Sequence, residues 1–572
     1  MMRSLRWWQI GLALLGVVVV AALLLRPRPE ETITTVPVEG GGTYTEALIG
    51  APRLLNPLFA ALNPVDRDLS RLIFSGLTRL DGRGRPTPDL ANWFLSSDQR
   101  TYTFILKPTA AWHDGQPLTA ADVAYTIDLM RDPASPVAED MRALWSTVSV
   151  AVTGTQTVAL TLPEPFAPFL DYTSFGVLPR HILGDTPPAG LAQAPFNLQP
   201  VGSGPFQFQR WRVGSDNVVS GIDLAAFPNY IGGQPAMGGV SFRFYPDGEA
   251  AFAAYQSGEV QGLSRISDSL LPEAIQEDDL NLYTAYLPQT TMVFFNLRDE
   301  ALPFFREKRV RQALLLGFNR DRVVADVLGG QASVANSPIL PGTWAHASDL
   351  APAPYDPARA AKLLDDAGWL LPADAVAGTR TYIRSKDGVP LSFTLIVPDA
   401  ARHMQIAQMA QADWAVIGVQ VQVISVPAAT LRSQYLDTRG YQALLIDFSL
   451  AGTPDPDPYP FWHQTQVESG QNYSGLDDRI TSQYLEEARI TSDLGARARI
   501  YRSFQIRFAD LVPALLLYNP TMTYGVRNTI ANVSLGALSD ESQRFSTITR
   551  WQVTTTRVVT GGDATSPTSS AP

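Results

Sequence analysis

The 572-residue chain has no cysteine, five histidines and four lysines. Lack of cysteine excludes disulfides, thiolate metal sites and thiol nucleophiles together. His113, His181, His346, His403 and His463 never lie within one helical turn of one another, which excludes a two-histidine zinc helix. No lysine has a serine three residues before it, so a Ser-x-x-Lys pair is missing, and neither a P-loop nor a Rossmann glycine fingerprint occurs. The net charge of −11 and the isoelectric point near 5.1 leave no basic surface for nucleic acid. The densest basic cluster, Arg306 to Arg311, is short and interrupted by Glu307. These absences call for no cofactor and no metal.

What the chain does have is apolar mass in a globular proportion. Hydrophobic residues make up 45%, mean hydropathy is near zero, and the length asks for two or three domains. Near the N-terminus, Arg3 and Arg6 precede an uncharged stretch from Trp7 to Leu25 that would span roughly 28 Å as a helix, close to a bilayer core. A cleavable signal peptide shares this form, but no small-x-small site precedes Arg26-Pro27, so an uncleaved transmembrane anchor is expected, with the bulk of the chain exported. A Gly-rich linker follows at 39–42. Residues 560–572 are Thr, Ser, Gly, Ala and Pro with one Asp, the composition of a disordered tail.

The stretch Thr101 to Met130 is the most strongly patterned. Tyr102, Phe104 and Leu106 alternate with Thr101, Thr103, Ile105 and Lys107 at the strand period. Pro108 ends the strand, Asp114-Gly115 makes a turn, and Thr119 with Asp122 forms a capping box ahead of an apolar stripe at Ala120, Val123, Ile127 and Met130. His113, between Trp112 and that turn, reads as a half-buried histidine bonded to the turn. Ser203 lies in Gly202-Ser203-Gly204-Pro205, which lacks the Gly-x-Ser-x-Gly spacing of a nucleophile elbow and reads as a structural turn. Further on, Val310, Ala313, Leu314, Gly317 and Phe318 share one helical face. Asp356 caps a helix over YDPARAAKLLDDAGW, and VQVQV follows a helix ending at Gly418. Helix and strand in alternation mean an α/β lobe. Leu515 to Tyr518 make a short apolar strand.

The runs WHDGQPLTAADV, YTFIL and PTPDLANWF resemble the signature region of extracytoplasmic solute-binding proteins of ABC transporters, family 5, which serve peptides and nickel. Asn56-Pro57, PVGSGPF at 200–206, TMVFFNL, RVRQALLLGFNRDRVV, and DPDPYPFW followed by Asn472-Tyr473-Ser474 resemble further family segments in family order. The resemblance implies a periplasmic-binding-protein-like type II α/β fold. Lobe I would comprise 43–65, 198–288 and 516–559, the small extra domain 66–197, and lobe II 289–515, after an anchor and linker at 1–42. It also lacks one family feature here, the lipid-modified cysteine by which many members are anchored.

It implies an oligopeptide, or a related small solute such as a nickel chelate or sugar, captured by lobe closure, an ABC permease and ATPase as partners, no catalysis, and a monomer outside the cytoplasmic membrane. Ligand contacts are expected at Asn56, at the crossing strand (Thr290, Thr291, Met292), and along the proline-stiffened loop after the ALLI strand (Phe448, Ser449, Asp455, Asp457, Tyr459, Trp462). In characterised peptide binders a loop Asp near here pairs with the peptide's α-ammonium. The segment facing that role reads Leu450-Ala451-Gly452 in this chain, and its acids come later. Two other readings stay open: a tethered hydrolase using the loop carboxylates, and a ligand sensor without transport.

Overall fold

The computed structural model describes residues 31–560, except 216, 374, 376–381 and 454, together with positions 8 and 15. The expected anchor at 7–25, those two positions apart, and the tail beyond 560 lie outside the described residues. Among the described residues no helix is long and apolar enough to cross a membrane.

A twelve-stranded mixed sheet organises the chain. Its strands are β1 (Thr43–Ile49), β2 (Phe206–Val213), β3 (Val219–Ala226), β4 (Gly239–Tyr245), β5 (Gly262–Ile266), β6 (Leu280–Tyr286), β7 (Gln289–Phe295), β8 (Ala332–Val334), β9 (Ser392–Pro398), β10 (Gln420–Val426), β11 (Ala443–Ser449) and β12 (Ala514–Arg527). The order is β10-β9-β11-β7-β12-β5-β1-β4-β3-β2, with β6 and β8 also pairing β12. The flanking helices used below are α1 (Pro64–Ile73), α2 (Ala120–Arg131), α3 (Lys308–Leu316), α4 (Ala401–Val416), α5 (Arg479–Ile490) and α6 (Leu494–Leu511).

β12 is longer than the expected Leu515–Tyr518 strand because it changes partners along its length. Residues 514–518 pair with β7, residues 518–520 with β8, and residues 521–527 with β6. Pro520 sits at the change and its carbonyl accepts from Leu287 N–H at 2.9 Å. A proline inside a run argues against an unbroken strand from sequence alone. β12 and the β6–β7 link therefore join the two halves of the sheet.

In the half built on β7, β9 and β11, both faces are covered, so these strands are apolar throughout instead of alternating. Val293, Phe295, Leu395 and Leu445 pack on Val310 and Leu314 of α3 and Trp414 of α4. Met292, Phe294, Leu444 and Ile446 pack on Phe504 and Phe508 of α6.

Thr101–Leu106 lies in a separate four-stranded antiparallel sheet, with Tyr102, Phe104 and Leu106 buried and the alternate residues turned away. At the start of α2, the Thr119 N–H and hydroxyl both donate to Asp122 Oδ2, at 2.9 and 2.8 Å. His113 fastens this unit to the 202–204 turn. Its Nδ1 accepts from Gly202 N–H at 3.2 Å and its Nε2 meets the Gly204 carbonyl at 3.0 Å. The turn needs glycine because a β-carbon at Gly202 would sit 1.9 Å from the Ile73 carbonyl oxygen. Residues 31–37, expected as linker, form a strand paired with Gln552–Thr560, both Thr- and Val-rich segments suited to extended chain.

Candidate ligand-binding cleft

Over the two crossings lies a polar cavity of about 340 Å³. Leu287, Pro288, Gln289, Pro520 and Thr521 form its floor. One wall is Arg67 and Asp68 of α1, the loop at Arg265 and Asp268, and the turn Asp540–Ser542. The other is Leu328, Gln331, Arg402, Asp447, Ser449 and Ala451. Walls from both halves of the sheet above shared connecting strands suit a site that closes by hinge motion.

Of the five acidic residues around this cavity, Asp447 is the one carried on a strand of the sheet. β7 and β11 pair so that Thr291 faces Asp447, and the Thr291 hydroxyl donates to Asp447 Oδ1 at 2.5 Å. His403 Nε2 and Arg402 Nη2, both from the first turn of α4, lie 3.2 and 3.9 Å from Asp447 Oδ2. Burial pushes this carboxyl up, but the nearby His403 ring, the Thr291 hydrogen bond and the Arg402 charge outweigh it and hold Asp447 below the ordinary carboxylate value. Its side chain keeps 26% exposure, so it faces the cavity as an anion with acceptor capacity to spare.

On the opposite wall, Arg544 is buried between Glu46 and Asp68, at 2.9 and 2.6 Å. Tyr44 and Tyr524 hydroxyls also donate to Glu46. Burial lifts Asp68 to about 6 against the pull of Arg544. This cluster fixes the N-terminal half of α1 against the 540–545 turn.

The ten residues expected at the ligand are scattered over six settings. Ser449 lines the cavity. Thr291 acts behind it by holding Asp447, and Thr290 accepts from Asn519 Nδ2 at 2.8 Å. Asn56, fully buried, donates to Asn197 at 3.2 Å and accepts from Leu58 N–H, an Asx turn. Met292, Phe448 and Trp462 are core side chains, with Phe448 on Phe461 and Trp462 on Phe508. Tyr459 stacks on His463 under the Arg489 guanidinium.

The loop acids are each held by an arginine. Arg497 of α6 takes Asp455 through two bonds, and Arg489 of α5 takes Asp457 at 2.7 Å. Both carboxylates border a small apolar cavity of about 50 Å³ instead of the large one. Neither is free to serve as an amine anchor or as a hydrolytic carboxylate in this arrangement.

Sequence reading opens the candidate loop at Asp447 without naming it as a contact, and it passes over Arg402 and Arg67. A signal existed for each. Asp447 is the one charge inside ALLIDFS, and Arg67, Asp68 and Arg71 form a charged stripe on a helix whose Val65, Leu69, Leu72 and Ile73 are buried.

An α/β sheet in two halves, bridged by two crossings beneath a polar cavity, defines a hinged binding protein of the extracytoplasmic solute-binding type. Residues 85–471 match the profile of the bacterial extracellular solute-binding proteins, family 5 Middle, and the chain belongs to that family. It is 28% identical over 493 residues to the oligopeptide-binding protein AppA of Bacillus subtilis, covering 84% of this chain and 86% of that one. The structure of that AppA in complex with a nonapeptide superposes with a TM-score of 0.62 at 25% identity, covering 92% of this chain and 100% of the other. NikZ from Campylobacter jejuni in complex with Ni(L-His) superposes with a TM-score of 0.64 at 25% identity over 89% of this chain and 99% of its own.

Proposed function

We propose that this chain is the extracytoplasmic solute-binding component of an ABC importer and that its ligands are oligopeptides. The anionic Asp447 in the cleft carries the reading. It offers the acceptor an α-ammonium needs, on a rigid strand, with Thr291 and His403 holding its orientation. Edge groups of the crossings and cavity water can meet peptide main chain without reading side chains. Closure follows from differential affinity: ligand touching both walls stabilises the closed form over the open one, and a permease then reads the closed form. The apolar stretch Trp7 to Leu25 supports tethering to the outer face of the cytoplasmic membrane, with the chain acting as a monomer.

Titration calorimetry of the full chain in detergent, with tripeptide and pentapeptide pools and with a nickel–histidine chelate, tests this reading. Heat of binding from the peptide pools supports it. Binding of the chelate alone would assign the cleft to metal complexes.

A further inference from the structure

The four-stranded sheet and the half of the large sheet built on β1 and β4 form one body, because Tyr102, Phe104, Val123 and Ile127 share a single buried core with Tyr44, Leu48, Val240 and Phe242. Val293, Leu395 and Leu445, and Phe294 and Leu444 behind them, belong to other cores. Hinge motion therefore parts two bodies, and these also touch away from the crossings.

The contacts gather at the junction of α5 and α6. The Ala167 N–H donates to the Arg489 carbonyl at 2.6 Å. Phe166 lies 5.5 Å from the Arg489 guanidinium, which Asp457 and the Tyr459 ring hold on its own side. Ser492, in the turn between α5 and α6, donates to Gln99 Oε1 at 2.9 Å. Gln99 stands in the left-handed region, φ 58°, in the turn between strands Ala91–Leu95 and Thr101–Leu106. The Trp344 N–H donates to the Arg83 carbonyl at 3.0 Å. None of these residues lines the main cavity.

Both surfaces are stiff. Pro163, Pro165 and Pro168 bracket Phe166 and Ala167, and Pro456 and Pro458 bracket Asp457. Joining segments whose backbone is already fixed by proline costs little chain entropy. One pair works against the join. Asp171, from the same segment as Ala167, is buried beside the Asp455 carboxylate. Burial and then the Asp455 charge push its carboxyl upward, so bringing the surfaces together costs either the uptake of a proton or a like-charge repulsion.

We propose that residues 163–172 and the Gln99 turn form a latch on the α5–α6 junction that holds the closed form shut from outside the cleft, and that Asp171 against Asp455 keeps this latch weak enough to reopen. The inference rests on the hinged-capture reading above but on no particular ligand. The latch biases the open–closed equilibrium before any ligand arrives, so it sets how long a captured solute stays without touching it.

A distance between the two bodies, measured on the full chain in detergent, tests the latch. The chain has no cysteine of its own, so spin labels go only to Phe94→Cys and Gln483→Cys, one exposed position in each body, and pulsed electron resonance reads their separation. Without peptide, a short and a long distance are expected. Ala167→Pro, which removes the N–H, is expected to lower the short-to-long ratio about fivefold, the size of one hydrogen bond, and Ser492→Ala to lower it in the same direction. Asp171→Asn, whose amide can donate to Asp455, is expected to raise the ratio about fivefold, a change that mere loosening of the fold would not produce. The same distances in the same proportions for wild type and all three variants would overturn the latch. A random pentapeptide pool should move the wild-type chain to the short distance. No response to the pool, with the variants still shifting the ratio, would remove the peptide reading and leave the latch standing.

Discussion

Arg497 holds Asp455 through Nη1–Oδ2 and Nη2–Oδ1 bonds of 2.5 and 2.7 Å, with both side chains 1% exposed. Asp171, from the short helix Phe169–Tyr172, lies close enough that burial, then the Asp455 charge, pushes its carboxyl well above the ordinary value. Nearby, the Ala167 N–H donates to the Arg489 carbonyl at 2.6 Å. The proline-rich loop is thus tied at once to α5, to α6 and to the segment 166–172 across from them.

Removing one partner of this pair leaves a buried charge unmatched. Arg497→Met is expected to destabilise the chain by about 3–5 kcal/mol, read as a fall in the urea midpoint, with much of the loss recovered in the Arg497→Met/Asp455→Leu double variant. A loss below about 1 kcal/mol would mean the pair is dispensable.

Asp447 and Asp455 should separate function from stability. Asp447→Asn is expected to weaken peptide binding about 10- to 100-fold, the range of a hydrogen bond to a charged group, with little change in the urea midpoint. Asp455→Asn is expected to act in the opposite sense, lowering the midpoint with affinity retained by the folded fraction. Equal affinities in Asp447→Asn and wild type would remove Asp447 from the site.

Burial lowers the His113 ring to about 4, against the Gly204 carbonyl and Asp114, which favour its charged form. The folded chain therefore resists a proton that the unfolded chain accepts near pH 6.5. The contribution of His113 is complete above pH 6.5 and is lost as pH falls toward 4, by up to about 3 kcal/mol. Urea midpoints measured across that window should fall more shallowly with decreasing pH in His113→Phe than in wild type. Parallel curves would show that the ring is not buried neutral.

Local order was legible wherever one element supplied its own evidence. The Thr101–Leu106 alternation, the Thr119–Asp122 start of α2 and the Asp356 cap each follow from residues within a few positions, and the structure reproduces them. The helix face at Val310, Ala313 and Leu314 is buried as its spacing requires. What the sequence conceals is pairing between distant elements. Nothing in DPDPYPFW reveals that Arg489 and Arg497, some thirty to forty positions on, neutralise its acids. The length of β12 was hidden for the same reason, since its four partner strands, β5, β6, β7 and β8, lie far from it in the chain. Within β7 and β11 the two-residue period carries no in-or-out information, because both faces are covered, so Thr291 and Asp447 could not be sorted from Met292 and Phe448 by pattern.

The central claim is that the cleft captures a peptide and releases it unchanged. It is tested most directly by denaturing the freshly purified full chain and identifying what it releases by mass spectrometry. Peptides recovered near one per chain, and recovered unaltered after prolonged incubation of added peptide with the protein, are the predicted result. Release of only sugars or metal chelates, or cleavage of the added peptide during incubation, would contradict it.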